Sequence, residues 1–235
     1  MTQKYFYCKI SLTSNYIRFK ENKMNTIEAI YARKSVRKFK DEVVPKEDIL
    51  KMLEAATQAP SPKHQQNWNF VVVTNRELIN KMADIVTASH ERLGEIAKTE
   101  KDRKIHMSVI KYYTCFRNAP AVVIVYGSEY KMIEYKILKE NNASKEVLDM
   151  LVSAQSAAQG IGAAVENFLL AATEMGYGTC YMTGPTHAKA ELEELIGFEK
   201  PGFELMSMIA LGVSEDDTPA KPPRKPLEDV ITFID

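Results

Sequence analysis

The sequence predicts an α+β fold, a three-layer sandwich in which helices cover both faces of one sheet. Two observations carry this prediction: short β-branched runs alternate with helical patterns, and only four or five such runs occur. The 235 residues contain no internal repeat and no shift in composition that would divide them. We therefore expect one domain over residues 24–235, preceded by an extension, residues 1–23, without clear helical period.

Helices and strands alternate in the first half of the chain. An amphipathic helix begins near Met24, which is also a possible true start, and a second helix begins at Pro45, whose fixed φ suits a first turn. The β-branched runs at residues 68–75 and 121–127 predict two buried strands. The charged sequence between them predicts helix with an interruption near Gly94.

The second half contains the helix that we expect to be most buried. This apolar helix is predicted from Lys145 to Met175, and it is rich in Ala and Ser. Gly160 and Gly162 at its centre would let a flat ligand or another backbone approach closely, and Gly176 is the predicted C-cap. A strand, an amphipathic helix, another strand and a proline-rich tail complete the chain.

Composition narrows the functional class. The chain carries 31 basic and 31 acidic side chains, so no charge surplus favours nucleic acid or an anionic membrane as a partner. No membrane-spanning run and no signal-peptide pattern occur, which favours a cytoplasmic protein. Cys8, Cys115 and Cys180 are scattered, which predicts free thiols. The four histidines lack metal-ligand spacing, so we expect no metal site.

Two basic segments are candidates for binding an anion. In ARKSVRKFK, the residues Arg33, Lys34, Ser35 and Arg37 lie close together, and an extended stretch would send every second side chain the same way. A phosphate ester would fit such a cradle, although a solvated charged loop explains the same residues. In KPPRKP of the tail, Arg224 is a second candidate anchor, and an exposed prolyl linker is the alternative.

Two loops offer groups that suit a heterocycle. The stiff segment QAPSPKHQQNW presents Ser61 and His64 as hydrogen-bond partners, although a rigid turn before a core tryptophan explains it equally well. The segment YMTGPT follows a predicted strand, where sheets of this kind bind ligands, and Gly184 would let backbone approach a ring. A Gly-Pro turn without function is the alternative. Rossmann, P-loop, GxSxG and HExxH patterns are absent.

Four segments, taken in order, resemble the nitroreductase family of FMN enzymes: ARKSVRKF, QAPSPKHQQNWNFVVV, GIGAAVENFLLAATEMGYGTCYMTGP and LGVSEDDTPAKPPRKPLEDV. The resemblance implies a three-layer α/β/α sandwich with a mostly antiparallel central sheet. It also implies a homodimer built around a long central interface helix, with two FMN sites shared between the subunits. The implied activity is an FMN-dependent oxidoreductase, in which NAD(P)H passes hydride to flavin N5 and a nitroaromatic, quinone or similar acceptor follows on the same face.

The resemblance also implies roles for individual residues, none of them a catalytic acid or base, because the cofactor carries the chemistry. The residues that would hold the phosphate, ribityl chain and pyrimidine edge of FMN are Arg33, Lys34, Ser35 and Arg37. The residues that would approach the flavin from the partner subunit are Pro60, Ser61, Pro62 and His64. Thr183 and Gly184 would face the ring near N5, and Arg224 with Lys221 would complete the phosphate site.

Three positions depart from the common family pattern. His64 stands where Asn is frequent, Asn67 where Pro is frequent, and Thr183 where some members carry Glu. The first and third touch the flavin rim, so the physiological acceptor and the preference between NADH and NADPH stay open. The alternatives are a same-fold flavoenzyme with a dedicated substrate (a dehalogenase, a dehydrogenase or a flavin-cleaving enzyme) and a non-catalytic flavin-binding protein.

Overall fold

A computed structural model of the chain describes residues 24–215 and 221–234. The helices in these ranges are α1 (Thr26–Ala32), α2 (Lys46–Thr57), α3 (Arg76–Gly94), α4 (Glu100–Met107), α5 (Ile110–Tyr113), α6 (Ile133–Glu140), α7 (Lys145–Val152), α8 (Ser156–Glu174) and α9 (Lys189–Ile196). The strands are β1 (Trp68–Val73), β2 (Ala121–Ser128), β3 (Gly178–Met182) and β4 (Phe203–Gly212). The extension of residues 1–23 lies outside the described residues.

One sheet with strand order β1-β2-β4-β3 forms the middle layer, and each neighbouring pair is antiparallel. Strand β2 is buried on both faces: Val122 and Ile124 belong to one apolar cluster, whereas Val123 and Val125 belong to the other. This division follows from the strand period of two residues. The two clusters on opposite faces confirm the predicted three-layer sandwich.

Different helices cover the two faces. On the face of Val123, α2 contributes Met52 and α8 contributes Phe168, both fully buried. On the opposite face, α3 contributes Met82 and α9 contributes Leu192, which are also fully buried. Each such side chain stabilises the fold by roughly 1.5–3 kcal/mol relative to an exposed position. None of the helices in the described ranges is long and apolar enough to cross a membrane.

Local signals set several helix ends. Helix α1 begins with a capping box, in which the side chain of Asn25 accepts from the N–H of Glu28 and the Glu28 carboxylate accepts from the N–H of Asn25. Pro45 is the N-cap of α2 rather than its first residue. Gly176 was predicted as the C-cap of α8, but the C-cap is Met175, and Gly176 follows it with a left-handed φ of 84° that ends the helix.

The single long helix predicted from Lys145 to Met175 is wrong, because the chain breaks between α7 and α8. Gln155 is left-handed, with φ 49° and ψ 44°, and the hydroxyl of Ser153 donates to the carbonyl of Met150 at 2.7 Å. This local hydrogen bond competes with continued helix. Helix α7 has no buried residue, so only α8 is the buried helix that the composition indicated.

Candidate functional site

The basic segment of residues 33–37 lies along the edge strand β3. Ser35 forms a parallel bridge with Thr179, and the N–H of Val36 donates to the carbonyl of Thr179 at 2.8 Å. This close approach requires Gly178, because a Cβ at that position would lie 2.8 Å from the Val36 Cβ. The sequence analysis did not single out Gly178. The sheet thus fixes the basic segment by its backbone, and Ser35 remains exposed.

The two arginines of this segment contact helices on opposite faces of the sheet. Nε of Arg33 lies 3.4 Å from a carboxylate oxygen of Glu166 in α8. The guanidinium of Arg37 lies 5.4 Å from the ring centroid of Tyr112 in α5. The expectation that both point the same way is therefore not met, since Arg33 is the C-cap of α1 and extended alternation starts only after it.

Part of the C-terminal tail returns to the basic segment. The ammonium of Lys221 donates to the carbonyl of Tyr31, two residues before Arg33. Nη1 of Arg224 donates to the carbonyl of Pro222 at 3.3 Å, a contact within the tail itself. The structure therefore brings Lys221 to the basic segment, whereas the contact of Arg224 is local.

The loop of residues 60–66 lies against α8. A Cβ on Gly160 would lie 3.4 Å from the carbonyl oxygen of Pro60 and 3.5 Å from the Cα of Ser61. The predicted close approach of another backbone is thus confirmed at Gly160. A Cβ on Gly162 would meet nothing within 4 Å, so this second glycine faces open space in the single chain.

The backbone of this loop is strained. Lys63, His64 and Gln66 have φ angles of 46°, 56° and 49°, in the left-handed region that costs non-glycine residues roughly 1–2 kcal/mol each. The hydroxyl of Ser61 accepts from the N–H of Gln66 at 3.0 Å and closes the loop on itself. Such strain persists only where the surroundings impose it, and it concentrates at functional sites.

The segment after β2 provides those surroundings. Nε2 of Gln65 donates to the carbonyl of Lys131 at 2.8 Å, and its Oε1 accepts from the Lys131 N–H at 2.9 Å. Lys63 pairs with Glu134 of α6 at 3.0 Å. The buried Asn67 donates its amide to the carbonyl of Glu129 at 2.9 Å. These contacts connect the 60–66 loop and the start of β1 to the segment after β2 and to α6.

Thr183 and Gly184 form the turn that follows β3. The carbonyl of Thr183 accepts from the N–H of Thr186 at 3.1 Å. A Cβ on Gly184 would lie 2.2 Å from a ring carbon of Tyr113, so glycine is required where the turn passes that ring. Thr183 lies four residues beyond Thr179 in sequence, which corresponds to about 13 Å of extended strand.

A cavity of about 510 Å³ lies behind this turn. Its lining residues are His90, Leu93, His106, Val109, Tyr113, Thr183, Gly184, Thr186 and His187. Burial lowers the pKa of His187, and the neighbouring His90 and His106 lower it further. The imidazole ring of His187 therefore stays neutral over a wider pH range than that of an ordinary histidine.

The family model for the nitroreductase family matches residues 30–213, which include the edge segment, the loop, α8 and the turn. The chain belongs to the nitroreductase family. In this nitroreductase-family protein, the predicted family and the predicted fold class are thus confirmed, and three of the four segments lie within the matched range, whereas most of the fourth, residues 211–230, lies beyond it.

Several relatives place the chain within the family. A solved BluB-like flavoprotein of Clostridium difficile is 38% identical, with a TM-score of 0.84 over 90% of this chain and 100% of that chain. A nitroreductase with bound FMN from Desulfitobacterium hafniense is 25% identical, with a TM-score of 0.65 over 90% of this chain and 100% of that one. The iodotyrosine deiodinase of Hydra vulgaris is 28% identical over 211 residues, or 87% of this chain and 71% of that protein.

The sequence analysis missed the cavity. Its three histidines come from α3, α4 and the turn after β3, and only His64 of the four histidines was singled out. Within the described residues, no group of three or more His, Cys, Asp or Glu side chains could hold a metal ion. No local sequence pattern could have indicated a cluster that only tertiary packing assembles.

Two thiols lie beneath the basic segment. Cys115 and Cys180 are free, as predicted, whereas Cys8 lies outside the described residues. The neighbouring Cys115 thiol lowers the pKa of Cys180 against the opposing effect of burial, and the charge of Arg37 assists. Sγ of Cys115 itself donates to the sulfur of Met182 at 3.4 Å. Because Cys180 is 3% exposed, the sheet shields this thiol from solvent.

Proposed function

We propose that this nitroreductase-family protein binds FMN and works as an NAD(P)H-dependent oxidoreductase. The observation that carries the proposal is the arrangement along β3, where a cationic segment at Thr179 and the turn at Thr183 lie at opposite ends of one strand. This span suits a ligand with an anionic end and a flat ring. Similarity to the FMN-bound Desulfitobacterium hafniense nitroreductase supports FMN as that ligand.

The residues at the edge of β3 fit a phosphate ester. A phosphate monoester carries about two negative charges near neutral pH and accepts several hydrogen bonds. Arg33 and Lys34 are adjacent, and Lys221 reaches the same segment through the carbonyl of Tyr31. Arg37, by contrast, would have to turn away from Tyr112 to join them. The exposed hydroxyl of Ser35 adds a neutral donor. Charge-assisted bonds of this kind are worth roughly 1.5–3 kcal/mol each.

The protein residues position the reactants rather than react themselves. FMN, when bound, would supply the hydride transfer between NAD(P)H and an electron acceptor. The edge segment would anchor the phosphate, and the turn at Thr183 and Gly184 would approach the ring. We also propose that Arg224 binds the phosphate, which requires its guanidinium to leave the contact with the carbonyl of Pro222.

We further propose that the site is shared between two subunits. Gly162 on α8 faces open space, and large apolar side chains are exposed on α1 and in the tail, including Tyr31 at 74% and Phe233 at 86%. Apolar exposure of this extent favours an interface. In the dimer, Pro60, Ser61, Pro62 and His64 of one subunit would approach the flavin of the other. Sedimentation should give twice the chain mass, and Phe233→Asp should shift the equilibrium towards monomer.

The decisive experiment is the visible spectrum of the purified protein before and after anaerobic addition of NADH or NADPH. We expect a yellow, FMN-containing protein that bleaches with at least one donor and regains colour with a nitroaromatic or a quinone. A protein that cannot be reconstituted with FMN would refute the proposal. A yellow protein that neither donor bleaches would indicate flavin binding without this activity.

A set of variants tests the phosphate assignment. Loss of one charge-assisted bond in Arg33→Ala should weaken FMN binding about ten- to hundredfold, and we expect the same for Arg224→Ala. Glu166→Gln should strengthen binding by up to about fivefold, because the competing carboxylate beside Arg33 is neutralised. Arg103→Ala on the exposed surface of α4 is the matched control. Unchanged affinity in Arg33→Ala would remove that residue from the site.

A flavoenzyme with a dedicated substrate is the second candidate. Similarity to the Hydra vulgaris iodotyrosine deiodinase and to the BluB-like flavoprotein supports it, and the departures at His64 and Thr183, which we propose to lie at the flavin rim, leave the substrate open. Halide release from a halogenated phenol, at a rate above nitroaromatic reduction, would favour a dehalogenase. Loss of FMN during turnover would favour a flavin-cleaving enzyme, whereas intact FMN after many turnovers supports the general reductase.

A further inference from the structure

The cavity behind the turn is built from aromatic rings that contact one another. The rings of His90 and His106 stack at 3.8 Å with an interplanar angle of 11°. The ring of Tyr113 meets the ring of His90 edge-on, with 5.5 Å between the centroids. The ring centroid of His187 also lies 5.5 Å from that of His90. Leu93 and Val109 complete the apolar part of the wall. Planar walls of this kind favour a flat aromatic ligand.

Hydrogen bonds to the backbone fix the tautomers of the stacked pair. Nε2 of His90 lies 2.9 Å from the carbonyl of His106, and Nε2 of His106 lies 2.9 Å from the carbonyl of His90. A carbonyl oxygen only accepts, so both Nε2 atoms carry the proton. In neutral His90, Nδ1 is therefore an acceptor. It is buried and has no hydrogen-bond partner within the described residues.

His187 presents a second acceptor to the same region. The hydroxyl of Ser89 donates to the carbonyl of His187 at 3.4 Å, so its oxygen accepts from Nδ1 of His187 at 3.0 Å. Nε2 of His187 then carries the lone pair, and it too is buried without a partner in the described ranges. The groups that act on the charge of His187 are His90, His106, Glu191 and Arg92, and its lowered pKa favours this neutral form.

His90 and His187 line the cavity, and each carries a buried acceptor nitrogen without a partner in the described ranges. A ligand that fits this cavity should therefore carry a hydrogen-bond donor. An unsatisfied buried acceptor costs roughly 1–3 kcal/mol, and a donor that reaches it recovers part of this cost. Both nitrogens are shielded from water, and the His90 ring is held by its contact with the carbonyl of His106, so Nε2 of the half-buried His187 is the acceptor that a ligand could reach after a small turn of that ring. The volume of about 510 Å³ lies in the range of small-molecule sites. We propose that this cavity binds a small aromatic molecule that carries a hydroxyl donor, a phenol in the simplest case.

The cavity shares Thr183 and Gly184 with the proposed flavin site, whereas its three histidines and Tyr113 have no role in that site. Thr183 and Gly184 line the cavity and also form the turn that we expect to approach the flavin ring. Gly184 rests against Tyr113, so a ligand that displaces the tyrosine ring acts directly on the turn. Binding in the cavity does not require flavin, and its failure would leave the proposed oxidoreductase function untouched.

Histidine ring NMR on the FMN-loaded protein tests the proposal, with phenol as the probe and anisole as the matched ligand without a donor. We expect saturable shifts of the His90 and His187 ring signals with phenol, and binding of anisole about fivefold weaker. His64 lies in the 60–66 loop, outside the cavity, so its signal reports binding at the flavin rim instead. A shift of His64 alone, or equal affinities for phenol and anisole, would overturn the proposal.

Two variants complete the test. His187→Asn keeps a donor for Ser89 and removes the Nε2 acceptor, so it should weaken phenol binding about fivefold and leave anisole binding unchanged. Unchanged phenol binding in this variant would also overturn the proposal. Leu93→Trp adds bulk to the cavity wall from a partly exposed position and should abolish both shifts. Ile96→Trp, which is 75% exposed and does not line the cavity, is its control. If His187→Asn fails to fold, retained binding in Leu93→Trp overturns the proposal.

Discussion

The contact between Gly184 and Tyr113 gives a stability prediction that the structure makes quantitative. A Cβ on Gly184 would lie 2.2, 2.3 and 2.8 Å from three ring carbons of Tyr113. Ordinary carbon contacts need about 3.5 Å, so the ring must move by roughly 1 Å. It cannot move freely, because His90 and His187 pack against it with centroids at 5.5 and 5.9 Å.

Gly184→Ala should therefore destabilise the protein. Overpacking of this kind costs about 1–3 kcal/mol, and the reduced entropy of the unfolded alanine chain returns about 0.4–1 kcal/mol. Gly184 is not among the glycines with positive φ, so its backbone adds no cost. A net loss of about 1–2 kcal/mol lowers the melting temperature by roughly 2–8 °C for a chain of this size.

Thermal unfolding at fixed protein concentration and saturating FMN measures this loss, because ligand and subunit association would otherwise shift the melting temperature. The same substitution in a Tyr113→Ala background removes the clash and should be neutral or slightly stabilising. An equal loss in both backgrounds would refute the steric explanation. So would a Gly184→Ala protein as stable as the natural one.

Three smaller predictions follow from single contacts. Tyr177→Phe removes the 2.8 Å hydrogen bond to Asp48 and should cost about 1 kcal/mol in urea unfolding; no change would mean that water replaces it fully. The pKa of His187 is lowered on folding, so the unfolded chain binds the proton first and stability should fall as the pH drops below 6.5. His187→Asn should flatten that slope, and a slope identical to that of the natural protein would exclude this histidine as a source. Gln65→Ala frees the N–H of Lys131, whose hydrogen exchange should accelerate about fivefold; unchanged exchange would show that another group protects it.

The fold was largely predictable because its signals are local. Strand β2 is a continuous β-branched run, and the ends of α1 and α8 follow a capping box and a glycine. The break before α8 was not predictable in this way. Gln155 has no intrinsic preference for the left-handed region, so its residue type gives no signal of the break.

The candidate site was predictable in its segments but not in its geometry. Sequence identified the residues at 33–37, 60–64 and 183–184. The structure places the first group along the edge strand β3, the second against α8 and the third in the turn after β3. It did not indicate that Arg33 and Arg37 contact opposite faces, because the C-cap of α1 falls at Arg33. Nor could it indicate the histidine cavity, whose members are separated by up to 97 residues.

The 60–66 loop shows how the strained part of the site depends on a distant segment. Its left-handed residues would relax if the loop stood alone, since three of them together cost several times the thermal energy. Gln65 binds both backbone groups of Lys131, and Lys63 pairs with Glu134 at the start of α6. Lys131 and Glu134 therefore help to hold the loop that contains His64, together with the hydrogen bond of Ser61 within the loop. The pair of Lys63 with Glu134 is more than half exposed on both sides and is screened by solvent, so the two hydrogen bonds between Gln65 and Lys131 contribute more to holding the strained loop than α6 does.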